Sequence, residues 1–139
     1  EDQAIGFEDI LEANRLVLED KDLTTAGIIE DGAEIEGRVE LHESAMIEDG
    51  AVVRGPVSIA EHTTIKSGTY VGPYTSIGAS SELENIHIEN SVVIGESEIT
   101  ASGRIVDSLC GRGANVESAE KLLPEGRRLV VGENSQLKL

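Results

Sequence analysis

Aromatic side chains are scarce in this chain of 139 residues, which contains two Tyr, one Phe and no Trp. The apolar fraction of 39% is large enough for a hydrophobic core. At roughly 100–200 residues per domain, the length predicts one domain or one domain with an appendage. Because aromatic residues cannot fill the core, we expect a fold in which small aliphatic side chains pack well.

Basic residues are also few, with four Lys and seven Arg against 27 acidic residues and a net charge of −16. Binding to nucleic acid needs clustered Lys and Arg to neutralise phosphates, and no more than two adjoin, at Arg127 and Arg128. We therefore expect no nucleic-acid partner. The acidic excess is typical of a salt-adapted cytosol or of an ordinary acidic surface, and both interpretations stay open.

Cysteine and long apolar runs are nearly absent. The single cysteine, Cys110, cannot form an internal disulfide, which favours a reducing cytoplasmic location. No apolar run exceeds three residues, which predicts neither a membrane-spanning helix nor a signal-peptide core. We expect a cytoplasmic protein with no membrane partner.

A repeat dominates what is present. The segment Ile-Glu-Asp-Gly-Ala occupies residues 29–33 and again 47–51, and Ile-Lys-Ser-Gly-Thr follows at 65–69, each step being eighteen residues. Within each eighteen, an aliphatic residue recurs every six, and a small or β-branched residue usually follows it by four. The predicted structural core is this aliphatic series: Ile29, Ile35, Leu41, Ile47, Val53, Ile59, Ile65, Val71, Ile77 and Leu83.

A period of six does not supply the three- and four-residue steps of an amphipathic helix. It fits a coil of three short strands and three turns, in which each aliphatic residue and the small residue two positions before it point inward. After Leu83 the steps alternate between five and six, through Ile88, Ile94, Ile99, Ile105, Cys110 and Val116. We predict an all-β parallel helix of about five coils over residues 23–121, with Cys110 as a small buried residue.

The two ends differ from the repeat. Residues 7–19 have an apolar stripe, with Glu8 and Asp9 where a helix start favours acids, and predict one amphipathic helix. We assign residues 1–22 to this helix and a linker, and 122–139 to an extended C-terminal cap. Both segments are expected to cover open ends of the coil stack, which would otherwise expose unpaired strands.

Repeats of the form aliphatic–x–x–x–small–x resemble the left-handed parallel β-helix of hexapeptide-repeat proteins, and this resemblance implies the left hand. Five stretches, in order along nearly the whole chain, resemble the C-terminal part of long-form glucose-1-phosphate thymidylyltransferases. They are Asp9-Ile-Leu-Glu-Ala-Asn-Arg-Leu-Val-Leu18, Arg54-Gly-Pro-Val57, Gly72-Pro-Tyr-Thr-Ser-Ile-Gly78, Ile88-Glu-Asn-Ser91 and Arg128-Leu-Val-Val-Gly-Glu-Asn-Ser135.

The resemblance implies a non-catalytic C-terminal domain that serves assembly or regulation of a sugar-1-phosphate nucleotidyltransferase. The catalytic domain of that family, with its nucleotide loop and its magnesium, would be a missing N-terminal partner. This chain has no Gly-x-Gly-Thr-Arg-Leu segment and no Gly-Lys pair of a Walker loop. We expect no catalytic residue, cofactor or metal here. A hexapeptide-repeat acyltransferase and a purely structural scaffold stay open as alternatives.

The three histidines test these alternatives. A zinc site needs three converging ligands, but the repeat places His42 and His62 on one face, two positions out of line, and His87 on another. For acyl transfer a single general base suffices. His62, at a turn between coils, is the candidate for that role, although a solvated turn residue is the simpler interpretation.

The residue before each aliphatic position points outward, so these residues form columns on three faces. The first column contains Ile28, Met46 and Thr64, the second Glu34, Val52 and Tyr70, and the third Glu40, Ser58 and Ser76. We predict that Met46, Val52 and Tyr70 border a contact between subunits of a homo-oligomer, since Met and Tyr are enriched at interfaces. The competing hypothesis is that the N-terminal helix covers them. The third face is expected to be solvated.

Overall fold

The computed structural model describes residues 6–118, 126–127, 130–131, 133–134 and 136–138, and in this part of the chain one helix precedes a series of short strands. The helix is α1 (Phe7–Asp20). The strands are β1 (Ile28–Ile29), β2 (Glu34–Glu36), β3 (Val39–Leu41), β4 (Met46–Ile47), β5 (Val52–Arg54), β6 (Val57–Ile59), β7 (Thr64–Ile65), β8 (Tyr70–Val71), β9 (Thr75–Ile77), β10 (Glu82–Glu89), β11 (Val92–Val93), β12 (Glu98–Val106), β13 (Leu109–Cys110), β14 (Asn115–Glu117), β15 (Gly126–Arg127), β16 (Val130–Val131) and β17 (Gln136–Lys138).

These strands wind into a parallel β-solenoid of about five coils with three faces. The first face stacks β1, β4, β7, the start of β10, the start of β12, β14 and β17. The second face stacks β2, β5, β8, the ends of β10 and β12, and β15, and the third stacks β3, β6, β9, β11, β13 and β16. All pairings between neighbouring coils are parallel, as the repeat predicts.

The inward aliphatic column forms the core. Eight of the ten predicted positions are buried: Leu41, Ile47, Val53, Ile59, Ile65, Val71, Ile77 and Leu83. Seven of them lie in register between equivalent side chains of the coils above and below, whereas Leu41 of the first coil lies between Ile59 and the bridge partner Thr25. The prediction was wrong for Ile29, which is 39% exposed, and Ile35 is only half-buried. Both lie in strands of the first coil that pair with a neighbouring strand on one side only among the described residues.

The observed spacing of inward residues also differs from the predicted spacing at one position, in the fourth coil. Val93, not Ile94, occupies the inward position, in register with Ile77 and Cys110, and Ile94 is 42% exposed. The step from Ile88 is therefore five residues and not six. Cys110 is fully buried, as predicted, and desolvation raises the pKa of its thiol to about 11.

The small residues of the repeat add a column of hydrogen bonds at one corner of the solenoid. Ser81 N donates to Thr63 Oγ1, Ser97 N to Ser81 Oγ, and Ala114 N to Ser97 Oγ, each at 3.2 Å. All of these side chains are buried. Thr and Ser thus fill the small inward site and also accept a backbone N–H, which satisfies a donor that would otherwise be costly to bury.

The predicted helix is confirmed and extends one residue further, to Asp20. Its described hydrogen bonds go to the side of the solenoid, to the third face and to the corner between the second and third faces, and its Leu11 and Leu18 are buried. The helix therefore lies along several coils and not over an open end of the stack, where we expected it. The expectation of a solvated third face was therefore wrong. The outward column of that face is polar, but Ser76 and the nearby Tyr74 bind the helix through hydrogen bonds, which the hydropathy pattern does not reveal.

The C-terminal segment continues the stack in its described residues. Strands β15, β16 and β17 pair in register with β12, β13 and β14. This part of the predicted cap is therefore built as further rungs of the solenoid. Residues 119–125 of the predicted boundary region, and 128–129 within the cap, lie outside the described residues.

Candidate functional site

The three predicted interface residues occupy outward positions on the first two faces. Met46 lies between Ile28 and Thr64 on the first face, and all three residues point away from the core. On the second face Val52 is the register neighbour of Tyr70. Met46, Val52 and Tyr70 are each half-buried within the chain. The described hydrogen bonds of α1 go to the third face and to the corner between the second and third faces, so they give no support to the competing hypothesis that the helix covers these three side chains.

Tyr70 is the centre of a small aromatic and cationic cluster. Its ring centroid lies 5.2 Å from that of His87, and the Arg54 guanidinium carbon lies 5.6 Å from the Tyr70 centroid. Arg54 Nε also lies 3.1 Å from Glu36 Oε1. The hydrogen bond with Tyr70, and then the charge of Glu36, raise the pKa of Arg54. Tyr and Arg held in this way are typical of protein interfaces.

Sequence reasoning missed the place of His87 in this cluster. The eighteen-residue count separated His87 from the other two histidines, but it did not show that His87 lies directly beside Tyr70 and next to Arg104, as the observed register does. The sequence feature that indicates this position is the step of five residues, not six, from Leu83 to Ile88. It shortens the repeat by one residue, so that residue 87 stacks on residue 70 of the preceding coil. A count based on the first three coils cannot show this.

His62, the candidate acyl-transfer base, lies in a turn with a left-handed backbone, φ 58°. Its backbone N–H donates to Ser44 Oγ at 3.0 Å, and Ser44 Oγ lies 2.9 Å from His42 Nδ1. Ser44 therefore links the turns that carry the two histidines, and the contacts of His62 are those of a structural turn. Across the described residues, no three His, Cys, Asp or Glu side chains come together as a metal site requires.

The C-terminal half of the helix is docked by polar groups of the solenoid. Arg38 Nη2 donates to the carbonyl oxygens of Leu18 at 2.9 Å and Lys21 at 2.7 Å, which places a cation at the helix C-terminus. Tyr74 donates its hydroxyl proton to Glu19, and this hydrogen bond is the main cause that raises the pKa of Tyr74. The Arg15 guanidinium carbon lies 4.4 Å from the Tyr74 ring centroid.

Fold and surface together define a parallel β-solenoid domain with a docked N-terminal helix. No helix within the described residues has the length and apolar character needed to cross a membrane. No family model matches the chain.

Comparison with curated proteins gives the relatives of this domain. The chain is 76% identical over 132 residues to the low-salt glycan biosynthesis nucleotidyltransferase Agl11 of Haloferax volcanii, a match that covers 95% of this chain and 37% of the relative. It is 35% identical to the glucose-1-phosphate thymidylyltransferases of Streptomyces griseus and Streptomyces antibioticus, over 94% of this chain and 36% of each relative. The chain thus spans about a third of the length of these relatives, and over that length it is a homologue of glucose-1-phosphate thymidylyltransferase-like nucleotidyltransferases.

Proposed function

We propose that this chain acts as the non-catalytic C-terminal β-solenoid domain of a sugar-1-phosphate nucleotidyltransferase of the glucose-1-phosphate thymidylyltransferase type. The observation that carries the proposal is the 76% identity over 95% of the chain, which covers only 37% of the nucleotidyltransferase it matches. The absence of a Gly-x-Gly-Thr-Arg-Leu segment and of a Gly-Lys pair from the sequence supports a division of labour.

In this division, the reaction takes place in another domain of the parent protein. There the sugar phosphate would attack the α-phosphate of the nucleoside triphosphate and displace pyrophosphate, and magnesium would supply charge neutralisation for that step. The solenoid contributes no group to that step and needs no metal of its own. Its role is assembly or regulation of the parent enzyme in the cytoplasm.

For assembly, the proposed partner is a second copy of this chain. The contact surface borders Met46, Val52 and Tyr70, along the edge shared by the first and second faces. Support comes from the half-buried apolar groups there and from Tyr70 held by Arg54 and His87. Preorganised side chains lose less conformational entropy on association than mobile ones.

The test compares the parent nucleotidyltransferase with a version that ends before residue 7. We expect the shortened enzyme to retain turnover of glucose 1-phosphate and dTTP with magnesium, and to lose its oligomeric mass in analytical ultracentrifugation. The isolated chain should make no nucleotide sugar under the same conditions. Turnover by a clean preparation of the isolated chain would refute the proposal, and so would a gene in which no nucleotidyltransferase sequence precedes this segment.

A further inference from the structure

The repeat changes at one corner of the solenoid, between the first and second faces. In the first three coils this corner is closed by a glycine with positive φ, the last of them Gly68 at φ 82°. In the fourth coil the equivalent residue is Asn85, φ 64°, within the continuous strand β10. The corner of the solenoid is therefore built differently from the fourth coil onward.

The fifth coil then inserts one residue at the same corner. Its register with β10 passes from Glu84↔Thr100 to Ile86↔Gly103, so two residues of β12 oppose one of β10 beyond Thr100. A Cβ placed on Gly103 would meet no atom within 4 Å, which shows that the space beside this bulge is open. Bulges of this kind redirect side chains and are common next to binding sites.

The result is a cleft of about 320 Å³, which we call the corner cleft. Its lining residues are Gly68, Asn85, His87, Ser102, Gly103 and Arg104. None of the six is acidic, although the chain carries a net charge of −16. By contrast, a cleft beside α1 includes three carboxylates among its lining residues, those of Glu8, Glu12 and Asp107. The corner cleft is thus a local exception to the charge of the protein.

Arg104 provides the cationic group of the corner cleft and is the register neighbour of His87. Among the described residues its guanidinium contacts one carboxylate oxygen, Glu89 Oε2, through Nη2 at 3.3 Å. A guanidinium has five N–H donors in a fixed planar fork. The single contact with Glu89 leaves most of these donors for an acceptor in the cleft.

Other arginines are engaged differently. Arg38 donates to carbonyl oxygens of α1 through Nη2. Arg54 is held by Tyr70 and Glu36. Arg112 lies within 4 Å of two carboxylates, those of Glu96 and Glu133. Arg104 combines a single acidic contact with a place in a cleft whose other lining groups are neutral or basic.

We propose that the corner cleft binds a phosphate group, as carried by the phosphomonoester of a small metabolite. Arg104 offers the planar donor fork that matches a phosphate, while the Asn85 amide, the Ser102 hydroxyl and the His87 ring supply further donors. Five of its six lining residues belong to the fourth and fifth coils, beyond the proposed contact at Met46, Val52 and Tyr70 along the stack, and the site does not depend on the proposed role in nucleotide transfer. Its opening accommodates a phosphate together with part of the group that carries it.

The test is an NMR titration of the chain with inorganic phosphate and, separately, with glucose 1-phosphate, at an ionic strength held constant with chloride. We expect saturable shifts of the Gly103 amide and of the His87 and Arg104 side-chain signals, and no shift with glucose. Stronger binding of glucose 1-phosphate than of phosphate would support a phosphomonoester ligand, and equal affinities would support recognition of the phosphate group alone. Shifts that do not saturate, or that spread evenly over the surface, would overturn the proposal.

Variants at two comparable ion pairs sharpen the test. Arg104→Gln should weaken binding by about tenfold or more, whereas Arg112→Gln should leave it within about twofold, because Arg112 is similarly exposed but lies outside the cleft. Glu89→Gln should tighten binding several-fold, since it removes the carboxylate that competes for Arg104. Glu96→Gln, which removes the same charge beside Arg112, should not. If Arg104→Gln and Arg112→Gln have equal effects, or Glu89→Gln weakens binding, the assignment of the corner cleft is refuted.

Discussion

The Ser76 hydroxyl donates a hydrogen bond of 2.5 Å to the Asn14 side-chain oxygen and so joins helix α1 to the third face of the solenoid. Asn14 in turn donates through Nδ2 to the carbonyl oxygen of Tyr74 at 3.0 Å. One amide thus contacts two residues of the third coil and fixes the position of the helix along the stack. The apolar part of the contact comes from Leu11 and Leu18.

This relationship predicts an energetic coupling between Asn14 and Ser76. In a double-mutant cycle with Asn14→Ala and Ser76→Ala, we expect a coupling of about 0.5–1.5 kcal/mol in the free energy of unfolding, measured by urea denaturation. The cost of Asn14→Ala alone is partly offset because Ala is the better helix former. Ser58→Ala is the matched control, as Ser58 lies one coil below Ser76 on the same face. Additive effects of Asn14→Ala and Ser76→Ala would contradict the docking geometry.

The core predicts opposite outcomes for one substitution at two equivalent repeat positions. Ile65→Asp should unfold the chain, because a carboxylate buried without a partner costs several kcal/mol, comparable to the stability of a small domain. Ile29→Asp should leave the fold intact, with a modest fall in melting temperature, since Ile29 is partly exposed in the first coil. Circular dichroism and thermal melting measure both variants. Equal melting temperatures for the two would contradict the stacking order.

Burial of Cys110 predicts a specific dependence of stability on pH. Its folded-state pKa of about 11 lies above the ordinary thiol pKa of 9.0, so the unfolded state loses the thiol proton first as pH rises. The contribution of Cys110 should be unchanged below pH 9 and should fall by about 2–3 kcal/mol between pH 9 and 11. Denaturation of the chain and of Cys110→Ala across this range isolates the effect from other groups. A constant difference between the two proteins from pH 7 to 11 would contradict it.

The proposed contact between subunits predicts dissociation by charge. Met46→Glu combined with Tyr70→Glu should convert the oligomer to a monomer in analytical ultracentrifugation, because the partner copy would have to bury two unpaired carboxylates. Circular dichroism should stay unchanged, since both side chains point outward. Leu16→Glu with Val17→Glu is the control, as these exposed residues lie on α1, away from the proposed contact. An unchanged mass for the first variant would place the interface elsewhere.

The acidic surface predicts a dependence on salt. If the net charge of −16 reflects salt adaptation, the melting temperature should rise steeply between low and molar potassium chloride, because the added ions screen repulsion among carboxylates. Sucrose at matched osmolality serves as an uncharged control. A melting temperature that is indifferent to salt would favour an ordinary acidic surface.

The solenoid itself could be predicted from the sequence because its signal is local and repeated. Each inward position is specified by the same six-residue pattern, and a stacked coil requires no information beyond that pattern. The prediction of inward positions failed at the first coil and at the place where the repeat shortens. Ile29 has the expected residue type, but it lies in the first coil and is partly exposed. After a step of five residues from Ile88, Val93 and not Ile94 occupies the inward position.

The sequence by itself determined the parallel coil, the aliphatic core and the presence of an N-terminal helix, since each depends on periodicity within a short window. Only the tertiary structure decided that α1 lies on the third face, that His87 lies beside Tyr70, and that a cleft opens at Asn85 and Gly103. The physical reason is that these features depend on register summed over several coils. One residue inserted or omitted in a coil changes which side chains become neighbours in the next coil. The hydropathy pattern within a short window does not contain this cumulative register.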